Sequence, residues 1–423
     1  MSSSTPIVKE HALDTARADS GRHAKRATSP WVIAAVVALA YLLVVIPRLA
    51  GGHAYQYVHV GHMFLTKSTT SSVIKPSLGY DSEVGYDGQF YFFLAADPVH
   101  GRYYMDSPGF VYSRIVYPMT VRALSAGQVA AIPYVMVLLN VAAAVGGTFL
   151  LALWLKRRRL PTAYAYLYGL FPGLIFSVFR DLTEPLAFGL AIAGLLVFDR
   201  RSGKRIAASA ALFATAALTR ETVLVFPALL TLSLLFGGPK TTSLPDRLRT
   251  GWWKALAFGA GSLVPLLAWR WFLSTWLGAG TPTQESAGGG SSVATPFHAL
   301  IAQWPWSRSI DLVVLAVVIP ALASLALAVA ALRRKTNVYV WMLIANVGVF
   351  VVYLPDPIVV DYGAAGRAAI GVVLAALLAL PQYEQERFGG PARRIRYSFL
   401  LWSLPWYVLA AIVLGGPGPG LLW

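Results

Sequence analysis

Residues Trp31–Ala50 read WVIAAVVALAYLLVVIPRLA, an apolar run interrupted by a single charge, Arg48, close to its end. At about 1.5 Å of rise per residue, such a run crosses the roughly 30 Å hydrocarbon core of a bilayer as one helix. A secretory signal has a shorter apolar region and a small-residue cleavage site. The flank PRLAGGHA offers no such site, so the run is expected to stay as a membrane anchor. The residues before it, 1–30, are polar and carry Lys9, Arg17, Arg22, Lys25 and Arg26, the composition of a disordered cytoplasmic tail.

The rest of the chain has the same character as this run. Of 423 residues 57% are apolar and only 13% charged, with a mean hydropathy of +0.59. A soluble domain usually carries about 25% charged residues to wet its surface, so a soluble protein is excluded and a polytopic membrane protein is expected. The net charge of +16 would suggest nucleic acid in a soluble chain. Here the basic residues fall in short clusters between apolar runs, which is a topology signal, and no nucleic-acid partner is expected. The chain has no cysteine, which excludes disulfides, thiolate catalysis and Cys-ligated metals.

Further spans are expected near Ala126–Leu155, Tyr164–Phe179, Pro185–Phe198, Ile206–Leu218, Val223–Phe236 and Ala255–Leu277. Others follow near Leu312–Leu332, Val338–Leu354, Ala368–Leu380 and Phe399–Leu414. The expected fold is therefore all-α, a polytopic membrane helix bundle of about eleven spans, some tilted or broken because they are short. With the tail inside, every second connection should be basic. Those connections hold Lys156–Arg159, Arg200–Arg205, Lys240–Lys254, Arg333–Lys335 and Arg387–Arg396. Residues 31–423 then form one integral membrane domain in the cell membrane, with 51–125 as a partly helical first extracytoplasmic loop and the C-terminus outside.

This topology sorts the acids unevenly. Asp81, Glu83, Asp87, Asp97, Asp106, Asp181, Glu184, Glu221, Glu285, Asp356 and Asp361 all fall on the outer side, together with Arg114, Arg180, Arg220 and Arg367. Mixed charge at one face, at the ends of several helices, is the making of a polar site. Two motifs are compact: RDLTEP at Arg180–Pro185 and LTRET at Leu218–Thr222 each place an arginine beside a glutamate. Each also fits a plain hairpin tip whose charges are solvated or paired with each other. The first loop carries YDSEVGYDGQFYFFLAADP at Tyr80–Pro98. Its aromatics Tyr86, Phe90, Tyr91 and Phe92 suit a short amphipathic helix lying at the interface with its aromatic face down and Asp87 held near the headgroups. Asp87 followed by Gly88 equally fits a turn or the N-cap of that helix.

An inside tail, one span, then a loop reading YDGQFYFFLAADP and later RIVYP at Arg114–Pro118 resembles the membrane glycosyltransferases of the GT-C superfold. The likeness is to the branch containing the GPI second-mannose transferase and to bacterial relatives with a YDGQFYY-like loop associated with cell-surface glycopolymers. TEPLAFGLAIAGLL at Thr183–Leu196 and LTRET are similar to later elements of that family, and the resemblance covers roughly the first 230 residues. It implies transfer of a hexosyl or pentosyl group from a polyprenyl-phosphate-linked sugar donor to a glycan or glycolipid acceptor in the cell envelope. An aspartate of the first outer loop serves as base, and Asp87 is the matching position. The chain departs from the eukaryotic pattern in having Tyr86 for tryptophan and Phe90 where a histidine or aromatic is usual.

The chemistry is consistent with the residues. A phosphate is already a good leaving group, so transfer needs a carboxylate for the acceptor proton and cations for the departing charge. Asp87 is the expected general base, with Asp81 its rival. Arg180, Arg220, Arg367 or Arg114 would hold the phosphate, since guanidinium grips phosphate bidentately. Glu83, Gln89, Glu184 and Glu221 are candidates for further catalytic or acceptor contacts, the two later glutamates also for orienting the arginines. No cofactor is demanded. A divalent cation could be held by Asp81, Glu83 and Asp87, and the chain has no GxxxxGK[ST], no HExxH and only seven His. Two other classes fit the hydropathy: a transporter or flippase for a polyprenyl-linked glycan, which would bury charges mid-span and show related halves with broken helices, and a non-catalytic partner in envelope assembly, for which Asp87 would be dispensable.

Overall fold

The computed structural model describes residues 28–75, 78–199, 203–237, 244–278, 296–333, 337–352, 356–388 and 397–415. Residues 1–27 of the expected tail, Glu285 and the side chain of Asp356 lie outside the described residues. The described chain is all-α, with an isolated bridge between Gly61 and Ser82 and no named strand.

Helix α1 (Pro30–Ala50) follows the apolar run of the opening. It buries Ile33, Ala34, Val37, Tyr41 and Val45, a stripe at helical spacing, and leaves Val32, Leu39, Leu43 and Ile46 exposed. An exposed face this apolar is stable only against lipid or a partner. The long connection that follows contains α2 (Gly88–Ala96) and α3 (Val116–Leu124). The bundle continues with α4 (Ile132–Arg157), α5 (Tyr164–Gly169), α6 (Pro172–Phe179), α7 (Glu184–Phe198), α8 (Gly203–Thr219), α9 (Val225–Phe236) and α10 (Leu244–Leu277). After it come α11 (Arg308–Leu332), α12 (Val338–Val347), α13 (Tyr362–Ala368), α14 (Ile370–Phe388) and α15 (Tyr397–Gly415).

Among the described residues, α1, Val129–Arg157, Gly251–Leu277 and Arg308–Leu332 are long and apolar enough to cross a membrane. A fifth span arises if α13 and α14, bent by 44° at their junction, count as one. Glu184–Phe198, Glu221–Phe236 and Val338–Val351 are shorter apolar helices. Four or five spans by length is fewer than the expected eleven, because several of the apolar runs fold as helices too short to span upright. The single run expected at Tyr164–Phe179 is two helices, interrupted at Leu170 and Phe171 where Pro172 starts a new one.

The connection 51–125 corrects an expectation. Helix α2 is no amphipathic helix lying flat on an interface: Gln89, Tyr91, Phe92, Phe93, Leu94, Ala95 and Ala96 are all buried, so it is enclosed on every side. A helix that is apolar all round belongs inside a core. Together with Tyr104, Tyr112, Tyr117 and Val121 it builds an apolar core of its own, which Leu182 from the bundle and Leu273 of α10 complete. Arg122 of α3 closes the far end of α2 by donating to the carbonyls of Ala95 and Ala96 at 2.7 and 2.9 Å, satisfying carbonyls that a helix end leaves open. The start of α2, and Asp87 with it, is thereby aimed at the ends of α6, α7, α8 and α13.

Candidate functional site

Asp87 occupies the N-cap position of α2, yet its side chain makes no capping hydrogen bond. Its Oδ2 instead accepts from Arg367 Nη1 at 2.7 Å, across 280 positions of sequence. Two close backbone approaches bring these residues together. A Cβ on Gly88 would lie 2.3 Å from the Arg180 carbonyl, so glycine is what lets the start of α2 rest on the turn after α6. Where α6 meets α13, a Cβ on Gly173 would lie 2.2 Å from the carbonyl carbon and oxygen of Gly366, one residue before Arg367.

The arginine and glutamate of each compact motif do not pair with one another. Glu184, the first residue of α7, is fully buried and takes Arg220 of the other motif, Nη1 to Oε1 at 3.0 Å, with Arg367 Nη1 at 3.9 Å from the same oxygen. Glu221 is held bidentately by Arg114, Nη2 to Oε1 at 2.8 Å and Nε to Oε2 at 3.2 Å. Arg114 is only 3% exposed and also donates to the Tyr91 hydroxyl at 3.0 Å. The reading of each motif as a self-paired hairpin tip is therefore replaced by pairing across elements. The pairs make a continuous run of charge from Asp87 through Arg367 and Glu184 to Arg220, whose Nη1 also lies 3.5 Å from the Thr183 hydroxyl.

Arg180 stands apart. Among the described residues it has no carboxylate within ion-pair distance. Its guanidinium lies 5.2 Å from the centre of the Tyr86 ring and 5.5 Å from that of Phe176, and Arg367 approaches the same Tyr86 ring at 5.4 Å. Tyr86 thus sits between two guanidiniums. Of the four arginines, Arg114, Arg220 and Arg367 are each in contact with a carboxylate, whereas the acids acting on Arg180, Asp361 and Asp81, stand beyond ion-pair distance. A part-buried cation with aromatic walls and no carboxylate in contact suits a phosphate or another anion.

Burial acts to raise the Asp87 carboxyl, but the charge and hydrogen bond of Arg367, helped by Arg114 and Arg220, hold it below the usual carboxylate range. The group is ionised at neutral pH and its side chain is 29% exposed. His59, in the left-handed region at φ 53°, is lowered to about 3 by burial and by the nearby Arg180, and stays neutral.

The remaining candidates sort by position. Asp81 and Glu83 are exposed on the rim, Glu83 3.7 Å from His62 Nδ1, and neither joins the arginine cluster by an ion pair. Gln89 is committed to the backbone: its Oε1 accepts from Gly61 N at 2.8 Å and its Nε2 donates to the Val84 carbonyl at 2.9 Å, pinning the preceding loop. Asp361 caps α13 by accepting from Gly363 N at 2.8 Å. Asp97 accepts from Ser71 Oγ and lies 3.0 Å from His100 Nδ1, and Asp106 pairs with Lys67. No group of three or more acids or histidines that could hold a metal ion occurs among the described residues. Tyr91 was legible only as one aromatic of the loop and Phe176 not at all, since their roles as hydrogen-bond acceptor and aromatic wall have no local signal beyond their residue type. Comparison with protein-family models, with characterised proteins and with solved structures returns no match for this chain.

Proposed function

We propose that the protein is an integral membrane glycosyltransferase of GT-C type, with about eleven spans, its N-terminus inside and the Asp87 cluster facing outward. It moves a sugar from a polyprenyl-phosphate donor to a hydroxyl of a cell-envelope glycan or glycolipid. The observation that carries this reading is the ion pair of Asp87 with Arg367, formed in place of a helix cap and set beside an unpaired Arg180. A carboxylate that accepts the acceptor proton and a cation that holds the departing phosphate are the two groups the reaction requires. In this arrangement Asp87 is the base. Arg180 is the first contact for the donor phosphate, and Arg367 is shared between the two. Arg114 and Arg220 are bound to Glu221 and Glu184, so they act as the charged frame around the cleft.

The bend between α13 and α14 is the one feature that a transporter of a lipid-linked glycan would also use. The same assay separates the two. Membranes bearing Asp87→Asn, with insertion verified, should lose transfer of radiolabelled sugar from a polyprenyl-phosphate donor by about 100-fold or more. Transfer at the wild-type level would remove Asp87 as base, and transfer absent from wild-type membranes with every donor tested would favour the transporter.

A further inference from the structure

Between Arg180 and Glu184 lies a carboxyl that the proposed chemistry does not use. Asp181 is wholly buried, and neither of its oxygens has a hydrogen-bond partner. It sits in the left-handed region at φ 50°, uncommon for a residue with a Cβ but adopted by aspartate more readily than by most. The groups that face it come from three elements and are neutral: Tyr57 from the Tyr55–Val58 helix, Tyr117 from α3 and Asn140 from α4. Charged groups act on these tyrosines. Arg48 stands 5.6 Å from the centre of the Tyr57 ring, and Glu184 acts on Tyr117.

Asn140 is fully buried as well. Its Nδ2 donates to the Tyr117 hydroxyl at 2.9 Å, and its Oδ1 has no donor. Asn140 thus stands by the buried carboxyl with an oxygen that no donor satisfies, and the amide N–H that favours the carboxylate is already engaged by Tyr117. An ionised carboxylate at this place would be a full charge without cation or solvent, one of the costliest arrangements a protein interior can hold. One proton resolves both residues. Turning the Asn140 amide over would offer an N–H to the carboxyl but leave the charge uncompensated, so the proton is required in either orientation.

We infer that Asp181 is held as the neutral carboxylic acid, its O–H shared with the Asn140 amide, and that this buried proton is linked through Tyr117 to the Arg114 side of the cleft. Burial also pushes the group well above the usual carboxylate range. Loss of the proton to solvent leaves Asp181 as carboxylate, and the Asn140 N–H then turns to the new anion and leaves the Tyr117 hydroxyl. Tyr117 packs edge-on against Tyr91, ring centres 5.7 Å apart at 89°, and Tyr91 accepts the hydrogen bond from Arg114 that accompanies the Glu221 pair. The proton is therefore placed to set the position of Arg114.

The test uses the purified full chain in detergent and needs no transfer assay, so its outcome is independent of the glycosyltransferase reading. At neutral pH the infrared spectrum of the wild type should contain a protonated-carboxyl C=O band that Asp181→Asn lacks and Asp181→Glu displaces. The linkage has a defined sign. A carboxyl raised in the folded state contributes stability that is fully present below its unfolded value near 4 and lost as pH rises through the folded value. The melting temperature of the wild type should accordingly fall with rising pH by a component absent from Asp181→Asn, and that variant should be at least as stable as wild type at neutral pH. No acid band in the wild type, or a clear destabilisation by Asp181→Asn with an unchanged pH slope, overturns the inference. Should Asp181→Asn not accumulate, the wild-type band and its displacement in Asp181→Glu decide the matter.

Discussion

Asp87 has two ways to use its carboxylate. As the residue before α2 it could cap the helix by accepting from a backbone N–H of the first turn, which usually contributes about 1 kcal/mol. It is bonded to Arg367 instead, where donor and acceptor are both charged. The pairing sets a pH expectation. Because Arg367 holds the Asp87 carboxyl low, the base stays ionised well into acid, and the acidic limb of the transfer rate should lie below the ordinary carboxylate range. Arg367→Gln removes the largest depressing influence, so the acidic limb should move to higher pH when the rate is profiled against pH. An unmoved limb would mean that another group is the base. Arg180 is separable from this pair, since its partners are the rings of Tyr86 and Phe176. Arg180→Ala should weaken use of the lipid donor by about ten-fold or more while the apparent affinity for acceptor stays nearly constant, as read from initial rates varied in each substrate. The identities of these residues could be read from the chain. Which arginine lacks a contacting carboxylate could not, because Glu184 takes the arginine of the other motif and Glu221 takes Arg114, which belongs to neither.

At the level of elements, the site depends on helix ends held closer than side chains allow. Gly173 of α6 and Gly366 of α13 touch backbone to backbone, and Gly363 packs on the Phe176 ring. A methyl at Gly173 meets a carbonyl that cannot rotate away, so Gly173→Ala should push α13 outward and carry Arg367 off Asp87. A drop in melting temperature together with loss of transfer is expected, whereas Gly146→Ala, where a Cβ meets nothing within 4 Å, should leave both unchanged. The opposite ends of α4, α7 and α12 are tied in a similar way. Arg158 Nη2 reaches Asp199 Oδ1 and the Tyr339 hydroxyl, each at 2.8 Å, while its guanidinium covers the Trp154 ring at 4.4 Å. The helices α1 and α4 were legible from their apolar runs, since length and hydropathy are properties of a segment alone. The burial of α2 on every side was not. Its aromatics suited a membrane surface as well as a core, and only the partner face supplied by α3, Leu182 and Leu273 decides between them.

For the whole molecule, the charge asymmetry along the chain predicts a sidedness that can be measured directly. The chain contains no cysteine, so single substitutions report access without background. Ser82→Cys, beside the Asp87 loop, should react with a membrane-impermeant maleimide in intact cells. Arg159→Cys, past the end of α4, should react only after the membrane is opened, and the reverse pattern would invert the proposed orientation. Composition and periodicity by themselves determined that this is an all-α protein with helices apolar enough to cross a membrane, because hydrophobic length is summed along one segment and needs no partner. They also indicated which charged residues stand at helix ends. Only the tertiary structure decided that Asp87 faces Arg367, that Glu184 takes Arg220 and Glu221 takes Arg114, and that among the described residues Arg180 has no carboxylate within ion-pair distance. Those pairings depend on which helix ends the packing brings within about 3 Å, a distance fixed by contacts such as Gly173 on Gly366 that join residues nearly two hundred positions apart.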